Sequence, residues 1–309
     1  MFSSRAFLPS MAAAFLVFAF VAPMVCAADA PTREIWKAGD MTVVAIQDLP
    51  HEMPVTIFTG PAPAEEKAKY FKNGKSEAGV NVFLLLTKDK IGLFDTGAGS
   101  SMFPSPGKLP DALAALGIKP EDVDFILITH MHGDHVGGLL RENARVFPKA
   151  KVYISKPEFE SWIALAEKTS ATDNNLGAGT ARLAKIVATA YGADIQTFAF
   201  GDSPLPGVTA LDASGHTPGH TVYQLTAEGK NLLIVGDIIH SMALQFPLPD
   251  ECASFDMDIP KAVEARKRIF ALSQENKMQI AGMHFPFGNV VGSAKKAGKG
   301  WKFERAKAK

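Results

Sequence analysis

The chain's 309 residues, 47% of them hydrophobic, suffice to bury a sizeable core, as one large domain or two small ones. Its 32 basic and 32 acidic residues cancel, so no net charge recommends it as an electrostatic binder of nucleic acid. Beyond the first 27 residues no apolar run approaches a membrane-spanning length.

The N-terminus carries Arg5, an apolar stretch over residues 12–21, and Val25-Cys26-Ala27. A charged start, an apolar middle and a small-residue end are the parts of a secretory signal peptide. Residues 1–27 are therefore expected to be removed near Ala27 or Ala28, leaving 28–309 as one domain in the periplasm with no stable membrane insertion. The apolar run is short for an uncleaved anchor. Cleavage removes Cys26, so Cys252 remains without a disulfide partner and reads as a small buried residue.

Residues 41–46 and 81–86 are strand-like, the second returning through Lys88-Asp89-Lys90 to a partner at 91–95. Residues 110–116 form a short helix stopped by Gly117. The apolar run 125–128 reads as a buried strand and 151–154 as another. Helices are expected over 158–168 and 180–189, with short strands near 196–200, 208–211, 221–225 and 231–235. Residues 261–274 make an amphipathic helix with Ala262, Ala265, Ile269 and Leu272 on one stripe. The basic stretch 293–309 (Lys295, Lys296, Lys299, Lys302, Arg305, Lys307, Lys309) reads as a solvated tail. The alternation of strands and helices predicts an α/β fold.

One segment carries chemistry. Directly after the apolar run comes Thr129-His130-Met131-His132-Gly133-Asp134-His135-Val136-Gly137-Gly138, with three histidines and an aspartate inside six positions. Imidazoles and carboxylates together suit zinc and other first-row metals. On extended chain, residues two apart face the same way, so His130 and His132 can grip one ion. Asp134 and His135 follow a glycine, where the chain can turn and present them to a second. A strand end opening into a loop is where α/β folds place their sites.

This His-x-His-x-Asp-His run resembles the signature of the metallo-β-lactamase-fold hydrolases, and the resemblance extends in order to the C-terminus. Gly215-His216-Thr217-Pro218-Gly219-His220 resembles the motif whose first histidine is a ligand. Leu232 to Asp237 resembles the strand ending in the metal-bridging carboxylate, and Ala281-Gly282-Met283-His284-Phe285-Pro286 resembles the last ligand motif. Phe94-Asp95-Thr96-Gly97 resembles the turn whose aspartate supports a ligand histidine from behind. The implied fold is a four-layer αβ/βα sandwich, two mixed sheets face to face with helices outside. The implied cofactors are two divalent ions, zinc first, with manganese, cobalt or iron as alternatives. One ion takes His130, His132 and His216, the other Asp134, His135 and His284. Asp237 bridges them beside a water or hydroxide that serves as nucleophile. No Gly-x-Ser-x-Gly elbow is present, and metal hydrolysis needs none.

An aspartate at 237 differs from the Cys or Ser of the zinc β-lactamases, which argues against lactam hydrolysis. The spacing of about eighty residues from His135 to His216 exceeds that of glyoxalase II. The leader, Gln245-Phe246 and Gly300-Trp301-Lys302-Phe303 are most similar to secreted methyl-parathion-hydrolase-like enzymes acting on lactones, aryl esters and phosphotriesters. That resemblance implies a homodimer and a lipophilic pocket formed by the Met102-Phe103 loop, Trp162 and Phe255. His240 stands where lactonases of the fold carry a tyrosine. It can serve as an oxyanion or leaving-group donor, or as a loop histidine. The expectation is lactone or aryl-ester hydrolysis with phosphotriesters as a side activity, with Asp237, Asp134 and His240 taking part in catalysis. Alternatives are an organophosphate hydrolase, a mono-iron dioxygenase or a glyoxalase II-like thioesterase. His51 and His220 read as structural, His220 bracing the His216 loop.

Overall fold

The computed structural model describes residues 32–100, 103 and 105–306; the leader, Cys26, Met102, Lys307 and Lys309 lie outside the described residues. Two large sheets organise the chain. In the first, β1 (Thr32–Ala38), β2 (Met41–Pro54), β3 (Lys75–Leu86), β4 (Ile91–Phe94), β5 (Phe125–Leu127), β6 (Lys151–Ser155) and β7 (Ile195–Phe198) lie side by side in chain order. The junctions β1–β2, β2–β3 and β3–β4 are antiparallel and the next three parallel. The second sheet runs β8 (Val208–Asp212), β9 (Thr221–Ala227), β10 (Lys230–Ile234), β11 (Gln279–Ala281), β12 (Val291–Ala297) and β13 (Gly300–Arg305), antiparallel except at β10–β11.

Parallel neighbours need a crossover, and helices supply it. Helix α1 (Leu109–Ala115) joins β4 to β5, α2 (Lys156–Ala166) and α3 (Leu176–Tyr191) join β6 to β7, and α4 (Ile259–Glu275) lies between β10 and β11. Among the described residues no helix is long and apolar enough to cross a membrane.

Strand periodicity explains the layering. Successive side chains point to opposite faces, so a strand covered on both sides must be apolar throughout. In β3, Val82 and Leu84 pack with Leu113, Trp162 and Val187 of the helices, whereas Phe83 and Leu85 turn to the second sheet. There they meet Tyr223, Leu225, Leu232 and Ile234. Leu233, between the last two, points outward to Ile269 and Phe270 of α4. The order is thus helices, sheet, sheet, helix: the four-layer sandwich with helices outside.

Two stretches differ from the sequence reading. Strand β2 continues to Pro54, past the expected end at residue 46. Strand β1 pairs only with residues 41–46 of β2, so beyond that point β2 has one hydrogen-bonded neighbour, and Pro50 forfeits no ladder bond on its open side. The basic segment is not a solvated tail through residue 305. It is the β12–β13 hairpin, whose Val291, Ala294 and Trp301 are buried while lysines occupy positions between them. Lys296 Nζ sits 4.9 Å over the Trp301 ring, so its charge masks an apolar contact in the letters.

Phe83 is fully buried between the sheets. Phe83→Ala is expected to cost about 3–5 kcal/mol, read as a lower denaturant midpoint. An unchanged midpoint would contradict its place in the inter-sheet core.

Candidate metal centre

The ligand run leaves the end of β5 extended through His132, which caps a single helical turn, Gly133–Val136. His130 and His132 therefore share a direction, and the turn swings Asp134 and His135 around beside them. Gly138 is required by close approach, since a Cβ there would lie 2.0 Å from the Thr96 carbonyl oxygen. The turn after β10 presents Asp237. Gly236 has φ of +54°, and a Cβ on it would meet His220 Nε2 at 2.4 Å.

Three ring nitrogens converge: His130 Nε2 and His132 Nδ1 are 3.0 Å apart, and His216 Nε2 lies 3.2 and 2.9 Å from them. Asp237 Oδ2 is 3.6 Å from His130 Nε2, 3.4 Å from His216 Nε2 and 3.0 Å from His284 Nε2, and its Oδ1 is 3.2 Å from His135 Nε2. Asp134 Oδ2 stands 3.7 Å from His135 Nε2 and 3.6 Å from His284 Nε2. These seven residues fall into two donor groups, His130/His132/His216/Asp237 and Asp134/His135/His284, and His240 lies within reach of His216 with Asp256 and of Asp237 with His284. The structure brings all seven expected ligands to one place.

The outer nitrogens show that these groups fit cations. His135 Nδ1 donates to Asp95 Oδ2 at 2.7 Å, His216 Nδ1 to Asp256 Oδ1 at 2.7 Å, and His284 Nδ1 to the Gly79 carbonyl at 2.8 Å. Each neutral ring then turns a lone pair inward. Lone pairs facing one another, or facing a carboxylate, repel unless a positive charge lies between them. His135 Nε2 and Asp237 Oδ1 are accordingly buried without a hydrogen-bond partner. Three nitrogens 2.9–3.2 Å apart are close to the roughly 3.3 Å edge of a tetrahedron with zinc–nitrogen distances of about 2.0–2.1 Å.

Without a cation, protons partly take its place. Burial and the His216 ring beside it push His132 down to about 3, and burial likewise holds His130 well below its ordinary value. Burial opposes charging His135 and His284 as well, but Asp237 and Asp134 outweigh it, raising His284 and taking His135 well above the usual range. Burial also opposes ionisation of Asp237, yet His135 and His284 hold its carboxyl well below the usual carboxylate range.

Asp95 has φ of +59° at the end of β4, a strained value for a non-glycine residue. Its carboxylate also accepts from Thr129 N and Thr129 Oγ1, both at 2.7 Å, tying the start of the ligand run to the partner of His135. His240 is fully buried, with Nε2 3.2 Å from Asp237 Oδ2, its ring stacked on His284 at 5.4 Å and edge-on to Phe255 at 5.0 Å.

A cavity of about 210 Å³ opens over these groups. His132, Asp134, Asp237, His240 and His284 form its floor; His51, Met53, Pro54, Ile57, Phe103, Leu176 and Phe255 form its walls. A hollow of about 480 Å³ behind the Gly137-Gly138 turn is larger but contains none of the seven ligands, so donor chemistry rather than size picks the site.

Phe103 and Phe255 thus reach the cavity, but Trp162 does not. It is 2% exposed in the helix-side core, its indole N–H donating to Glu158 Oε1 at 2.7 Å, because α2 turns that face toward the sheet. His51, read as structural, is carried into the wall by the extension of β2, edge-on to Phe103 at 5.3 Å. His220 braces the Asp237 turn rather than its own loop: its Nε2 accepts from Asp237 N at 2.8 Å. Cys252 is buried, which pushes its thiol up to about 11, as suits an inert residue.

Sequence reasoning missed Asp256, whose loop has no periodicity to flag it, and Asn81, whose Nδ2 donates at 2.8 Å to the carbonyls of Met283 and Phe285 around His284. It also missed Glu158. Ser155-Lys156-Pro157-Glu158 has the letters of a helix capping box and invites only that reading.

Two face-to-face mixed sheets flanked by helices, with a buried histidine–aspartate cluster at their strand ends, define the metal-dependent hydrolase class of αββα folds. The family model described as Metallo-beta-lactamase superfamily matches residues 77–275, and the chain belongs to that superfamily. The crystal structure of hydrolase AbOPH in the beta lactamase superfamily is 31% identical with a TM-score of 0.81, covering 89% of this chain and 97% of that one. AidC, a dizinc quorum-quenching lactonase solved with a product, has the same fold at 24% identity and a TM-score of 0.79, over 90% of this chain and 98% of its own. The uncharacterized protein YobT of Bacillus subtilis (strain 168) is 28% identical over 158 residues, 51% of this chain; the chain spans 61% of that relative's length.

Raised His135 and His284 values mean that the cation-free fold holds protons that cations must expel. Groups with raised folded values stabilise below the unfolded value, about 6.5 for histidine, and lose that stabilisation as pH rises through the folded value. Chelator-treated protein should therefore lose thermal stability as pH rises above about 6.5, an effect absent after zinc loading, and zinc uptake should release protons to a pH indicator. Zinc uptake without proton release would contradict this. Asp256→Asn is expected to weaken cation binding about 10–100-fold in a chelator competition, since an amide removes the negative charge behind the His216 ring and can accept from only one of His216 Nδ1 and Ala253 N.

Proposed function

We propose that the protein is a two-metal hydrolase that opens lactones or cleaves aryl esters, with phosphotriester hydrolysis as a side activity. The observation that carries this reading is the placement of the seven-ligand cluster, with His240 beside Asp237, at the floor of a cavity whose walls are largely apolar. The lactonase described for AidC and the hydrolase described for AbOPH support the same class.

His130, His132, His216, Asp134, His135 and His284 would hold two divalent cations with Asp237 between them; zinc suits the donors. When bound, such a pair supplies Lewis acidity and brings the pKa of water toward neutrality. The chain's own residues do the rest. Asp95, Asp256 and the Gly79 carbonyl keep the histidine lone pairs facing inward. Phe103, Phe255, Ile57 and Met53 exclude bulk water and hold the lipophilic part of the substrate. His240, neutral because burial lowers it, carries a proton on Nε2 at the cavity floor, placed to donate to a carbonyl oxygen or a departing alkoxide. Asp134 and Asp237 offset positive charge at the reacting centre. We further infer a working form consisting of residues 28–309 after leader removal, periplasmic and homodimeric.

A rate panel on zinc-loaded protein tests the reading: aliphatic and aromatic lactones, phenyl esters, phosphotriesters, a β-lactam and a glutathione thioester. Lactones or aryl esters should show the largest kcat/KM. His240→Phe should lower kcat on them by about 10²-fold or more while metal content stays at the wild-type value. A phosphotriester preference would favour the organophosphate alternative, and a glutathione-thioester preference the glyoxalase-like one. One iron per chain with oxygen uptake would replace hydrolysis by a dioxygenase reaction.

A further inference from the structure

Glu158 is fully buried on the first turn of α2 and none of its oxygens meets a lysine, arginine or histidine within ion-pair distance among the described residues. A carboxylate in that position is costly unless donors replace its water. Four do. Oε1 accepts from Met131 N at 2.8 Å and Trp162 Nε1 at 2.7 Å; Oε2 accepts from Thr217 Oγ1 at 2.7 Å and Gly219 N at 2.9 Å.

Where these donors sit gives the carboxylate its meaning. Met131 lies between His130 and His132, while Thr217 and Gly219 immediately follow His216. The two segments, far apart in sequence, supply the three ring nitrogens that approach within 2.9–3.2 Å of one another. Glu158 spans both, one oxygen to each. Ser155, the cap of α2, adds a second tie through Oγ to the Gly219 carbonyl at 2.6 Å. The helix start also approaches the Gly219 backbone so closely that a Cβ there would stand 2.1 Å from Glu158 N. None of these bonds reaches Asp134, His135 or His284.

We propose that Glu158 is a positioning residue that sets the separation of the two loops forming the three-histidine half of the centre, and so tunes cation affinity there and not in the other half. This rests on the reading of the cluster as a cation site. A carboxylate is needed because all four partners donate. An amide of the same shape replaces one oxygen by an NH2 that faces two donors, pushing one loop away.

The test is cation binding by competition with a chromophoric chelator, using zinc and then cobalt, whose absorption spectrum reports ligand geometry. Wild type should bind two cations. Glu158→Gln should weaken one about 10–100-fold and alter the cobalt spectrum, with the other unchanged. In a His284→Ala background, which keeps the three-histidine half, Glu158→Gln should weaken the remaining cation; in a His132→Ala background it should not. Thr217→Val removes one donor without changing volume, and should act in the same direction more weakly if Glu158→Gln does not fold. Equal weakening of both cations, or a lower melting temperature of the cation-free variant with both affinities intact, would make Glu158 a helix staple and overturn the proposal. A wild type that binds no cation would overturn the cluster reading itself.

Discussion

Four ring nitrogens approach one oxygen, Asp237 Oδ2, at 3.0 Å (His284), 3.2 Å (His240), 3.4 Å (His216) and 3.6 Å (His130). Two of those rings, His216 and His284, have spent their other nitrogen as a donor on Asp256 or Gly79. Once a cation has expelled the proton that Asp237 otherwise keeps on His284, both rings turn lone pairs toward the carboxylate. In a buried setting this concentration of acceptors is sustainable only around positive charge. Much of the surrounding architecture can be read as the means of holding that arrangement against its own repulsion.

The holds come from the helix layer, the first sheet and the loop before α4. Asp95 stands at the end of β4 and grips His135. Gly79 and Asn81 on β3 grip the His284 turn, which follows β11. Asp256 grips His216 from the loop before α4, and Glu158 reaches in from α2. Because these strands belong to both sheets, the inter-sheet core that packs Phe83 against Leu232 and Ile234 also sets the distance between the ligands that each sheet supplies. Side chains in such a core interdigitate with little slack. Packing and site geometry are therefore coupled through the same few strands.

What could be read from the letters divides along physical lines. Ligands within one motif were legible because short spacing on extended chain dictates direction: His130 and His132 share a face, and Gly133 turns the chain for Asp134 and His135. His216, Asp237 and His284 came only through resemblance, since nothing local says that three distant turns meet. The apolar runs 81–86 and 125–128 announced central strands because both their faces are buried. Strand β2 beyond residue 46 was hidden by Pro50 and Pro54, which a strand with one open side tolerates. With it His51 was missed. Asp256 and Glu158 were illegible for a different reason: each acts through partners 27 to 61 residues away, and a carboxylate in a loop or a first helical turn has a bland local explanation.

The cavity's composition bears on the chemistry it accepts. Its volume of about 210 Å³ is below the roughly 300–1,000 Å³ of sites that engulf drug-sized ligands. It suits the reacting ring or ester group, with the rest of a substrate lying outward over Leu176, which is 45% exposed at the rim. Among the described residues no lysine or arginine lines the cavity. A thioester of glutathione brings carboxylates that such walls cannot pair, and taking them from water unpaired is costly. A neutral lactone or aryl ester, the substrate class proposed above, would lose only weak hydration on entry and would meet its polar contacts at the floor, where His240 and the ligand cluster lie. Among the described residues of the upper wall His51 is the polar side chain, so discrimination among neutral substrates is expected to turn on whether the group beside the Phe103 ring can use an imidazole.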